Sequence, residues 1–152
     1  MNKTPFTKKG YDDLIKERNV LNVQRVTAVV NLKTARDMGD LSENAAYRVA
    51  RSKLSSIDSR LRFLNKTIDN AYIKEIYFSG LVDVGCTVTV ESELGIQTFQ
   101  IVNSHESNVP QGKISYYSPV GRALIGKKAK DTVLIKTPKG NIIYKIKEIK
   151  TL

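Results

Sequence analysis

Two carboxylates stand three residues apart, Asp40 and Glu43, in the segment Gly39-Asp-Leu-Ser-Glu-Asn-Ala-Ala-Tyr47. With Asp37 they gather acid in a chain whose formal net charge is +10. Where a helix begins at such a point, side chains three apart share a face, so both can point off its end. Two carboxylates cannot fill the octahedral shell of Mg²⁺. That ion is nevertheless commonly held by one or two protein carboxylates together with phosphates and water. The chemistry open to the pair is shared coordination, with the remaining ligands supplied by another molecule's active site. A structural use fits the same spacing. Asp-x-x-Glu at a helix start resembles a capping box, and acids there complement the helix dipole. Ser42 is an equally good N-cap, which would leave Asp40 without a structural task. The residue types leave both uses open.

Positioning such a pair requires a rigid support, and the surrounding residues describe one. Residues 12 to about 74 hold no proline and a single glycine, Gly39, the pattern of helix interrupted once. Tyr47, Leu54, Leu61 and Ile68 recur every seven residues, interleaved with Ala50, Ile57, Leu64 and Ala71. Alternating three- and four-residue steps make one apolar seam. Before the glycine, Leu14, Leu21, Ala28 and Ala35 repeat by seven, with Arg18, Arg25 and Leu32 as companions. The arginine stems can line the seam while their heads reach solvent. Helices near 12–38 and 43–74 are expected, folded back as an antiparallel hairpin with a break at Met38–Ser42. Val20, Val23, Val26 and Val30 fall off the seam and mark another face.

From Gly80 the periodicity changes to two. Apolar and polar residues alternate in Cys86–Glu91, Thr98–Val102 and Tyr144–Ile149, and Val133–Ile135 is a short apolar run. Turn residues separate these segments at Glu93–Gly95, Ser107–Gly112 and Pro138–Gly140. Ser118 followed by Pro119 reads as a helix start and Gly126 as its stop. The expected fold class is α+β: a coiled-coil hairpin domain over 1–79, then a compact antiparallel β domain with one short helix over 80–152.

Composition narrows the function classes. Lys and Arg outnumber acids 15 to 9 in residues 1–79 and 10 to 6 in 80–152, so the imbalance is spread along the chain. It fits a polyanionic partner such as nucleic acid, and equally a solvated lysine-rich surface. One Cys and one His argue against a structural zinc site and exclude an internal disulfide. The polar, basic opening does not read as a signal peptide, and no apolar run is long enough to span a membrane. A cytoplasmic protein without a membrane role is expected.

The tip segment, preceded by Ala35-Arg36, strongly resembles that of the bacterial GreA/GreB transcript-cleavage factors. Thr7-x-x-Gly10-x-x-x-Leu14 is similar to the family's start. Ile114-Ser115, Ser118-Pro119, Ala123-Leu-Ile-Gly-Lys127, Asp131 and the Pro-x-Gly before Tyr144 resemble its FKBP-like half. The resemblance runs in order over nearly the whole chain, with a lean towards GreA.

That resemblance implies a factor with no cofactor of its own that binds bacterial RNA polymerase as a monomer. The hairpin would enter the secondary channel, and Asp40 and Glu43 would share a Mg²⁺ with the polymerase, which then cleaves backtracked RNA at its 3′ end. Beside that implication, Arg36 and Arg48 flank the tip and fit contacts to RNA or polymerase acids, and equally a solvated helix surface, while the region from Ser118 and Pro119 to Lys127 is expected near the docking surface of the second domain. Three features depart from the family pattern: Ala46 in place of glutamate, no glycine after Val102, and the basic charge balance. Competing readings are a channel-blocking inhibitor without cleavage, an FKBP-like prolyl isomerase and a plain nucleic-acid binder.

Overall fold

A computed structural model describes residues 3–39, 44–75, 79–138 and 140–151. By its contacts the chain divides into two compact units, Tyr11–Ala71 and Asn2–Gly10 together with Tyr72–Leu152.

The first unit is made from two helices, α1 (Lys8–Asp37) and α2 (Ala45–Asp69). Helix α1 starts four residues before the expected position. Thr7 caps it: the Thr7 hydroxyl accepts the Gly10 amide at 3.0 Å, as an N-cap does. Helix α2 stops short of residue 74. The Asn70 amide and side chain both donate to the Lys66 carbonyl, at 3.3 and 2.8 Å, which closes the last turn. The chain then leaves as a strand.

The seam follows the heptads. Leu14, Ala28 and Ala35 are buried on α1, as are Ile57, Leu61, Leu64 and Ile68 on α2. Ala28 packs with Ile57 and Leu61, and Leu21 and Leu54 flank them. The direction of pairing is fixed by ion pairs across the helices. Arg25 Nε meets Asp58 Oδ1 at 2.6 Å. Arg60 reaches Glu17 through two bonds, at 2.7 and 2.9 Å, so the helices run antiparallel. Arg25 does as its position predicts: it is exposed, and its head is held at the margin of the seam.

The second unit carries two sheets. Strands β1 (Thr4–Phe6) and β2 (Ala71–Ile73) form the small one. The larger is built from β3 (Cys86–Ser92), β4 (Gly95–Val102), β5 (Lys113–Ser115), β6 (Thr132–Thr137) and β7 (Gly140–Thr151). Its spatial order is β5-β4-β3-β7-β6. Every pairing is antiparallel except β4 with β5, so the sheet is mixed rather than purely antiparallel. The parallel pair arises because the chain between these strands passes through two single-turn helices, Ser104–Glu106 and Val109–Gln111, instead of a hairpin turn. Helix α3 (Pro119–Leu124) touches both edge strands, β5 and β6, and the sheet curls around it. Alternation places Val88, Val90, Ile101 and Ile146 on the inner face with Leu124 of α3, all fully enclosed. One bulge interrupts this register, between Thr89 and Val90 against β7, and admits Lys147 as an extra residue.

The opening residues of the chain belong to this second unit. Phe6 stacks on His105, with ring centroids 5.8 Å apart. The Glu106 carboxylate accepts the Thr7 amide at 3.1 Å and also the Thr7 hydroxyl. A Cβ on Gly10 would overlap that carboxylate, which would have to swing away from Thr7 to make room. Asn103 stands where the family resemblance predicts glycine, and the structure gives it work. It is buried, its Oδ1 accepts the His105 amide at 2.9 Å, and its Nδ2 donates to the Pro5 carbonyl at 2.9 Å. Its φ of −68° makes no demand for glycine.

Candidate functional site

Among the described residues, Asn44 ties the two helices together at the end of the hairpin. It is the N-cap of α2, and its Oδ1 accepts the Tyr47 amide at 2.9 Å. Its Nδ2 donates to the Ala35 carbonyl of α1 at 2.7 Å. A single amide thus satisfies an orphan donor of one helix and a terminal acceptor of the other. On the α1 side Gly39 turns the chain at φ +128°, with open space where a Cβ would go, so its conformation rather than crowding requires glycine.

Asp40 and Glu43, together with Leu41 and Ser42, lie outside the described residues. Their neighbours still bear on the capping alternative. The N-cap is Asn44, two residues beyond Ser42, and the third helical position is Tyr47 rather than an acid. The N-cap position of α2 thus belongs to Asn44. Among the described residues no group of three or more His, Cys, Asp or Glu is arranged to hold a metal ion.

Arg36, in the last turn of α1, and Arg48, in the first turn of α2, are both exposed. Arg48 continues into a feature that sequence reasoning missed. Arg48, Arg51, Ser52, Ser55, Ser56 and Ser59 line a shallow polar groove of about 480 Å³ on the outer face of α2. Arg62 extends it, donating to Ser59 Oγ at 2.9 Å. The helical spacing of arginines with small hydroxyl residues was the available signal. Ala46 lies on the opposite, apolar side, in a groove of about 550 Å³ shared with Met38 and Val49. Alanine there, where the family pattern has glutamate, adds an apolar side chain to this groove.

Ser118 and Pro119 belong to the other unit. Ser118 caps α3: its Oγ accepts the Gly121 amide at 3.0 Å and donates to the Ser115 carbonyl at 2.7 Å. Its hydroxyl is thereby committed, whereas Pro119 is exposed. Beside them Tyr116 and Tyr117 pack at 4.1 Å between centroids. Burial, then the hydrogen bond and charge interaction with Tyr117, raise the Tyr116 phenol above the usual tyrosine range, so it stays protonated. Phe99 and Tyr144 meet edge-on at 6.0 Å, and the Tyr144 hydroxyl donates to Gln97 at 3.0 Å. Tyr144 is in the core and Phe99 packs against it, so neither ring opens onto the aromatic pocket that prolyl isomerisation needs.

Residues 4–73 match the family described as transcription elongation factor, N-terminal, and residues 79–151 match transcription elongation factor, GreA/GreB, C-term. The chain belongs to the GreA/GreB family. Transcription elongation factor GreA of Baumannia cicadellinicola subsp. Homalodisca coagulata is 40% identical, with 100% of each chain covered. The GreA of Pseudomonas aeruginosa is 37% identical over 99% of each. Among solved structures, GreA factor homolog 1 of Thermus thermophilus is similar at 25% identity and a TM-score of 0.47, covering 97% of this chain and 99% of that one. Full-length similarity to GreA-named relatives makes this GreA/GreB chain a transcription elongation factor and disfavours the isomerase and plain nucleic-acid-binding readings. No helix among the described residues is long and apolar enough to cross a membrane.

Proposed function

We propose that the chain binds bacterial RNA polymerase in the cytoplasm, one copy to one polymerase, and stimulates the polymerase's own cleavage of backtracked RNA. It is an accessory factor and not itself an enzyme. The tip of the hairpin enters the secondary channel, and Asp40 and Glu43 supply carboxylates for a Mg²⁺ shared with the polymerase. When bound, that ion would polarise a phosphate oxygen and lower the pKa of a water beside the RNA 3′ end.

One observation carries the reading: both family domains are matched in order, and the acid-bearing turn lies between helices that Asn44 already caps. Asp40 and Glu43 stand in sequence just before that cap, and their carboxylates are assigned in this reading to the metal. Arg36 and Arg48 offer cations beside them, and the Arg48–Arg51–serine groove offers donors spaced along α2 for phosphate oxygens of the RNA. The second unit docks outside the channel, with exposed Pro119 near that surface.

The test uses a stalled elongation complex labelled at the RNA and the full chain carrying Asp40→Asn with Glu43→Gln. Cleavage should fall by about 100-fold or more, the loss expected when ~3 kcal/mol of charge stabilisation disappears. Polymerase affinity should stay within about threefold, and the variant should compete with the unaltered chain. Near-normal cleavage would sink the assignment. Cleavage that declines only in step with affinity would return the acids to a structural role. An unaltered chain that binds without stimulating cleavage would establish the channel-blocking reading.

A further inference from the structure

Helix α1 (Lys8–Asp37) buries one face in the hairpin seam and leaves the opposite face bare. Val23, Val26 and Val30 stand there 71%, 67% and 57% exposed, with Val20 beside them. Exposed valine is a poor choice for a helix, because its branched side chain loses rotamer freedom against the preceding turn. The surroundings are equally unusual. One residue in four of the chain is charged, yet from Asn19 to Asn31 the only charged residue is Arg25, which Asp58 engages at the seam. This face is apolar and nearly free of charge, a combination that favours a protein surface over solvent or a polyanion.

The spacing identifies the partner surface. Lys16, Val23, Val30 and Asp37 recur every seven residues and form one column along the helix, and Asn19, Val26 and Lys33 form the column beside it. The first column ends in an exposed cation on one side and an exposed anion on the other. Laid against a second copy in the same direction, it sets Lys16 on Lys16 and Asp37 on Asp37. Reversed about a two-fold axis at Val26, it sets Lys16 opposite Asp37 at both ends, Val23 opposite Val30, and Val26 close to its own counterpart. The column is complementary only to its reversed self, as an isologous interface requires.

We propose that the outer face of α1 is a homotypic contact through which two copies of the chain associate as an antiparallel pair. Three valines per copy over about two turns make a small interface, so the pair is weak and reversible. It therefore coexists with single-copy action at low concentration, and it does not depend on what the tip does.

Sedimentation equilibrium of the full chain at low ionic strength, from about 1 to about 500 μM, tests this. The weight-average mass should climb from one chain towards two. Val26→Lys places like charges on the two-fold axis and should hold the mass at one chain, with helicity unchanged by circular dichroism. Lys16→Glu and Asp37→Lys should each weaken association several-fold. Together they should restore it, because the exchanged pair is complementary again in the antiparallel register alone. A one-chain mass at every concentration, or association that Val26→Lys leaves intact, overturns the proposal. So does a double exchange that fails to restore association, which decides the matter even if Val26→Lys were to unfold.

Discussion

The helical hairpin and the sheet unit bury their side chains in opposite ways. The hairpin has one seam, closed by small residues and by side chains with solvent at their edges: Ala28, Ile57 and Leu61 pack together while Leu21 and Leu54 remain half-exposed. In the sheet unit Val88, Val90, Ile101, Leu124 and Ile146 are fully enclosed between the inner face of the sheet and α3. A long two-helix seam is stabilised turn by turn, from contacts local to each turn. An enclosed core holds or fails as a unit. The hairpin is therefore held locally along its length, and the sheet unit as one body.

The sharpest way to break that contrast is Gly121→Ala. Gly121 is buried in α3, and a Cβ there would overlap the Ser115 carbonyl, a backbone atom that cannot swing aside. The substitution should destabilise the sheet unit by about 3 kcal/mol, the upper range for overpacking. Thermal unfolding followed by the near-ultraviolet signal of the tyrosines should move sharply, since Tyr116 and Tyr117 adjoin the displaced carbonyl. An unchanged melting temperature would show that this core yields as readily as the seam.

Ile57→Ala should have a smaller effect. Its side chain is buried against Ala28 and Leu61, but the seam has only one layer and solvent lies close by, so about 2 kcal/mol is expected, the low end for such truncations. Far-ultraviolet helicity should melt earlier while the tyrosine signal of the sheet unit moves less. Coincident melting of both signals would contradict the difference in cooperativity.

What was legible beforehand follows the same contrast. Heptad columns announce a seam because every turn repeats the same choice, and Leu14, Ala28, Ala35, Ile57 and Leu61 fell where the spacing put them. Helix ends were harder, since they depend on single hydrogen bonds. Thr7 and Asn44 decide where the helices start, and neither repeats anything. Ala71 fits the heptad column yet begins a strand, because the chain is claimed by pairing with residues 4–6, a partner remote in sequence. In the sheet, alternation revealed β3, β7 and the core of β6, whereas the three-residue strand β5 carries too few residues to alternate. At the site, Arg48 was visible beside the acids. The serine groove behind it was not, because the helical spacing of its arginines and serines reads equally well as an ordinary solvated face.

Asn44→Ala isolates the cap from both cores. The loss should be about 1 kcal/mol, the usual value for an N-cap. Because Asn44 also serves Ala35, Asn44→Asp should recover part of it: the carboxylate still accepts the Tyr47 amide, while the donor to the Ala35 carbonyl is gone. Hydrogen exchange at the Tyr47 amide should accelerate in Asn44→Ala and stay near the original rate in Asn44→Asp. Exchange in β3 and β7 should be unaffected by either. Acceleration in the strands as well would mean that the tip and the sheet unit unfold together.

The smallest effect expected lies on the outer face of the sheet, where Lys147, the bulge residue, meets Glu91 at 2.9 Å. The Lys147 hydrogen bond, then the charges of Lys147 and Lys145, hold the Glu91 carboxyl below the usual glutamate range. A carboxyl whose value is lower in the folded than in the unfolded chain favours folding while ionised. That contribution is present above the unfolded value, near 4.3, and disappears as pH falls through the folded one. Glu91→Gln should therefore lower the melting temperature slightly near pH 7, and the difference from the unaltered chain should close as pH falls below the folded value, where Glu91 is protonated in both states. The pair is solvent-exposed, so added salt should shrink the neutral-pH difference further. A gap that persists unchanged into acid would mean that Glu91 acts through packing at the bulge and not through its charge.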